Sequence, residues 1–116
     1  MLNSYAMTDV GRTRVVNQDY VFSCLEPVGN LPNLFIVADG MGGHNAGDYA
    51  SQMTVEVVKK SLADSQETDP ETMIRQAITT ANELLLEKAS QDARLKGMGT
   101  TVVVATVIEK TLYFAN

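Results

Sequence analysis

The stretch "LFIVADGMGGHNAG", residues 34–47, decides how the rest of the chain is read. An unbroken apolar run, Leu34 to Ala38, reads as a buried strand, and it delivers a carboxylate, Asp39, to its end. A carboxylate so placed is partly desolvated, which is costly unless a cation or several donors satisfy it. Gly40, Gly42 and Gly43 follow, and without side chains they let the backbone turn sharply and bring a carbonyl up to a hard cation. A carboxylate beside a carbonyl suits Mg²⁺ or Mn²⁺. The plainer alternative is that Asp-Gly is a favoured turn pair at which the strand simply reverses.

Upstream, "GRTRVVNQD", residues 11–19, sets Arg14 and Asp19 near the start of another apolar segment. An arginine can grip a phosphate dianion with two parallel N–H groups, and an aspartate can orient water around a metal. The competing reading is a surface strand carrying an ion pair of little energetic weight. Strands are expected near 4–11, near 19–26 and at 34–39, with "PVGNLPN" as a turn between the last two.

Downstream the periodicity lengthens. Tyr49, Met53, Val57 and Val58 recur three to four residues apart, which gives an amphipathic helix from about Ala46 to about Ala63. In "TDPE" Asp69 can cap the free amides of a second helix whose first position is Pro70. Met73, Ile74, Ala77, Ile78, Ala81 and Leu85 form its apolar stripe, and it should fade near Leu95 to Gly97. The β-branched and aromatic runs "TTVVVATVI" and "TLYFAN", parted by Glu109 and Lys110, then read as a hairpin. Strands, two helices and strands again make an α+β fold with both helices on one sheet face.

The 116 residues fit one domain, and 45% hydrophobic with 20% charged residues is ordinary for a globular chain. A formal charge of −5 disfavours a nucleic-acid surface and suits divalent cations better. Cys24 is the only cysteine, so no internal disulfide or multi-cysteine zinc site can form, and a cytoplasmic setting is expected. No run approaches the roughly 18 apolar residues of a membrane span.

Taken together, "RVVNQD", "FIVADGMGGHNAG", "GMGTTVVVATV" and "LYFAN" resemble, in order and spacing, the bacterial form of the metal-dependent, type 2C serine/threonine protein phosphatases. That resemblance implies hydrolysis of phosphoserine and phosphothreonine in partner proteins, with two Mn²⁺ or Mg²⁺ ions sharing a bridging water. It implies that Asp39 bridges both metals, that Gly40 gives its carbonyl to one, that Asp19 holds metal-bound water, and that Arg14 receives the substrate phosphate. Gln18 stands where many relatives carry a glutamate, and Met41 where some carry a histidine acting as general acid. His44, the only histidine, is on the same loop and is a candidate proton donor, with a loop or capping role as the alternative. Thr100 and Thr101 match a Gly-Thr-Thr segment that packs close to the site, and Met41, Met53 and Met98 are read as packing rather than ligands.

The family pattern continues past "YFAN" with a Gly-Asp-Ser-Arg segment and later aspartates that these 116 residues do not include. The chain therefore resembles the N-terminal half of a four-layer αββα sandwich, a truncated single domain over 1–116. Half a sandwich leaves an apolar sheet face and a terminal strand uncovered, so self-association is expected, and the chain alone is expected to be inactive.

Overall fold

The computed structural model describes residues 19–42 and 46–116. Four strands, β1 (Asp19–Cys24), β2 (Leu34–Met41), β3 (Gly99–Ile108) and β4 (Thr111–Ala115), form one antiparallel sheet in the order β1-β2-β3-β4. Between β2 and β3 run two helices, α1 (Ala46–Asp64) and α2 (Pro70–Gln91), and a 3₁₀ turn at Ala93–Leu95. The expected α+β arrangement is thus observed, and the expected strand near 4–11 lies outside the described residues.

Side chains of β2 alternate strictly: Leu34, Ile36, Ala38 and Gly40 are buried, while Val37 and Met41 are exposed. The buried set meets Val55, Val58 and Leu62 of α1, Met73, Ile74, Ala77 and Ala81 of α2, and Val104 of β3 in one core. Tyr20, Phe22 and Val102 pack against its margin, and Lys59 lies 4.3 Å over the Phe22 ring. Both helices therefore cover one face, as a sheet with a single apolar face requires.

The stripe on α2 is the expected one, and Asp69 caps it, its carboxylate accepting from the Thr72 N–H at 3.0 Å. The helix stops at Gln91, earlier than expected, because Asp92 bends out to an extended conformation and caps the 3₁₀ turn instead. On α1 the buried face is Ala46, Gly47, Ala50, Ser51, Thr54, Val55, Val58 and Leu62, so the stripe is rotated from the expected one and Tyr49 is exposed. Small residues in its first half, Ala46, Gly47, Ala50 and Ser51, let α1 approach closely, and Val55, Val58 and Leu62 fill the core beyond them.

Two connections fix how these elements meet. Gly29 in the β1–β2 turn has φ +57°, and a Cβ there would stand 2.2 Å from the Leu62 carbonyl oxygen, so only glycine fits against the end of α1. Asn33 is buried at the entry to β2. Its Oδ1 accepts from the Val107 N–H at 2.8 Å and the Thr106 hydroxyl at 3.0 Å, and its Nδ2 donates to the Val107 carbonyl at 2.8 Å.

Candidate functional site

The expected end of the strand at Asp39 is corrected by the ladder. β2 continues through Gly40 and Met41, which pair with Thr100 and Gly99 of β3, so Asp39-Gly40 is not a turn. The chain leaves the sheet only after Met41. At Gly42 φ is +149°, and a Cβ would lie 2.9 Å from the Ala46 Cβ and 3.3 Å from the Met98 Cα. Glycine is therefore required at 42, where the segment leaving β2 is pressed between the first turn of α1 and the approach to β3.

The ladder places Asp19 of β1 directly opposite Asp39 of β2, and Thr101 of β3 opposite Asp39 on the other side. Two acidic positions some twenty residues apart in sequence thus become cross-strand neighbours, about 5 Å apart at their Cα atoms. Asp39 is half-buried on the sheet face away from the helices, and the Thr101 hydroxyl donates weakly to its carbonyl oxygen at 3.5 Å. Thr100 turns its hydroxyl to the Thr101 carbonyl at 2.8 Å. The Gly-Thr-Thr segment is therefore the strand alongside the acidic pair.

A site edged by carboxylate and backbone carbonyl oxygens has the hard donor chemistry that suits Mg²⁺ or Mn²⁺. It is a partial set: among the described residues no three His, Cys, Asp or Glu side chains come together as a metal site. Arg14, Gln18 and His44 lie outside the described residues. Met41 is exposed at the end of β2, outside the core, with its side chain beside Gly99 of β3. Sequence reasoning passed over Gly42 as one of several interchangeable glycines. A glycine immediately after the strand's last paired residue and before a helix start was the signal available.

The sequence profile of the family described as Protein phosphatase 2C matches residues 11–116. The serine/threonine phosphatase Stp of Listeria monocytogenes is 39% identical over 113 residues, which cover 94% of this chain and 44% of that protein. The phosphatase PhpP of Streptococcus pneumoniae is 36% identical over 113 residues, 95% of this chain and 45% of its own length. The crystal structure of the serine/threonine phosphatase Stp1 from Staphylococcus aureus superposes with a TM-score of 0.82 at 33% identity, over 98% of this chain and 45% of that one. The chain spans a little under half the length of the curated relatives it matches.

Proposed function

The chain belongs to the protein phosphatase 2C family, and on that premise we propose that it carries the first half of a phosphoserine/phosphothreonine phosphatase site dependent on two Mn²⁺ or Mg²⁺ ions. The observation that carries the reading is the register that sets Asp19 opposite Asp39, with Gly40 the next residue along β2. In this reading Asp39 and the Gly40 carbonyl would hold the cations, and Asp19 would orient the water around them. Arg14 holds the phosphate of the phosphorylated protein, and His44 gives a proton to the departing serine or threonine oxygen. When bound, the cations supply the acidity that makes a water nucleophilic at neutral pH. The chain's own contribution is to set the two acidic positions opposite one another on neighbouring strands, so that the site is organised before substrate arrives.

A second reading concerns the 116 residues by themselves: they fold and associate without turnover. It is favoured by the donor count, since Asp39 and the Gly40 carbonyl alone hold two hydrated cations weakly. The deciding experiment is Mn²⁺-dependent phosphate release from a phosphothreonine peptide by this chain and by its Asp39→Asn variant. Activity that Asp39→Asn lowers by several orders of magnitude, with an unchanged circular dichroism spectrum, supports the cation-holding role. Activity that survives the substitution overturns it. Silence in both folded proteins supports the second reading.

A further inference from the structure

The first turn of α1 stands beside the last turn of α2, and between them lies an open groove of about 620 Å³. Tyr49 and Leu95 give it apolar surface, and Lys88, Asp92 and Arg94 give it charge. It begins close to the acidic site. Ala46 is one of its walls, and a Cβ on Gly42 would lie 2.9 Å from the Ala46 Cβ. Gly42 is in turn three residues, at most about 11 Å of chain, from Asp39.

The charges of the groove are unevenly satisfied. Asp92 is its one acid among the described residues, since Asp48, the acid in the first turn of α1, is not among its walls. The Asp92 carboxylate is fully engaged: it accepts from the Arg94 backbone N–H at 2.9 Å, from Arg94 Nε at 3.1 Å and from Arg94 Nη2 at 2.9 Å. Lys88, exposed in the last turn of α2, is thereby left with no carboxylate partner among the described residues, whereas Lys59, Lys60 and Arg75 elsewhere on the two helices each have one. Arg94, with its side chain 88% exposed, commits only part of its five-donor guanidinium to Asp92. A chain of net charge −5 therefore gathers Lys88, Arg94 and Lys96 along one short stretch beside its site.

On the phosphatase reading above, we propose that this groove receives an acidic stretch of the phosphorylated protein, which Lys88 and Arg94 recognise at a distance from the phosphoresidue itself. A span of about 15 Å corresponds to about four or five residues of extended peptide at 3.3 Å each. Lys88 and the remaining Arg94 N–H groups meet the carboxylates of that stretch, and Tyr49 and Leu95 pack against the methylene stems that carry them. Charge complementarity of this kind speeds encounter and selects among partners more than it adds affinity, which suits a surface that must let its product go.

The test is the fluorescence anisotropy of a labelled, unphosphorylated oligoglutamate peptide titrated with this chain at low salt, with glutamine at every glutamate in the control peptide. Neither cations nor turnover are needed, so a chain that binds without activity would sink the phosphatase reading alone, and an active chain that does not bind would sink the groove alone. Binding is expected in spite of the chain's net negative charge. Lys88→Glu should weaken it about tenfold, and Lys88→Gln, which removes the charge without setting an acid at the end of α2, about threefold, both with unchanged circular dichroism. Lys110→Glu makes the same change in net charge at an exposed lysine in the β3–β4 turn, and should weaken binding by less than about twofold. No binding, equal binding of the glutamine peptide, or equal losses in Lys88→Glu and Lys110→Glu would each overturn the proposal. So would equal binding of a single-stranded oligonucleotide, because the groove would then attract any polyanion and would not select an acidic peptide.

Discussion

Single residues in this chain divide into those whose chemistry is plain from their neighbours in sequence and those that acquire a role only across the fold. Asp39 belongs to the first kind, since an acid closing an apolar strand announces itself, and so does Asp69 ahead of Pro70. Asn33 and Thr54 belong to the second. Asn33 sits in what reads as an ordinary proline turn, yet its amide closes three hydrogen bonds to a strand more than seventy residues away. Asn33→Ala would strand the Val107 N–H and carbonyl, and unfolding in urea should show a loss of about 2–3 kcal/mol. Thr54 makes the opposite case: it is buried, and its hydroxyl has no hydrogen-bond partner. Thr54→Val keeps the shape and removes the orphaned group, so the same measurement should show a gain of about 1 kcal/mol. A loss there would mean that the hydroxyl is satisfied in solution.

Elements were legible wherever a strong local signal coincided with a period. The β-branched run of β3, the turn pair Glu109-Lys110 and the capped stripe of α2 all stand where the sequence places them. The phase of α1 was not legible, because an apolar count favours Tyr49 and Met53. Close packing selects instead the small face of Ala50, Ser51 and Thr54, a preference set by the sheet beneath. The extension of β2 through Gly40 was hidden for a related reason: glycine signals a turn locally, and the β3 ladder overrides it. The β3–β4 hairpin also carries a cost that sequence pattern does not show. Glu109 and Lys110 have φ of 50° and 70°, a left-handed pair that residues with side chains adopt at a penalty. Replacing them by Asn-Gly should raise stability by about 1–2 kcal/mol in thermal unfolding. An unchanged midpoint would mean that the turn relaxes to another conformation.

At the scale of the whole molecule, net charge and the open apolar face oppose one another, and pH decides which prevails. The charge of −5 at neutral pH holds copies apart, and it vanishes near the isoelectric point of about 4.7. Folding itself should survive to that pH. The Thr72 hydroxyl, and after it the Thr72 N–H, hold the Asp69 carboxyl below its ordinary 3.8, and the Arg94 side chain and N–H do the same for Asp92. A carboxylate with a depressed folded pKa contributes stability that is present in full above its unfolded value and is lost only as pH falls through the lowered one. The helix caps therefore stay charged at pH 4.7 and fail below 3.8, whereas self-repulsion is gone before either cap weakens. The sheet face left open by β2, β3 and β4 then meets no electrostatic barrier, and association should set in while the chain is still folded. Light scattering followed from pH 7 downward should climb toward a maximum near 4.7 with constant helical circular dichroism, and the helical signal should fall only in a second step at lower pH. Scattering and helix loss that moved together would show that unfolding, and not the exposed face of the native sheet, drives the association.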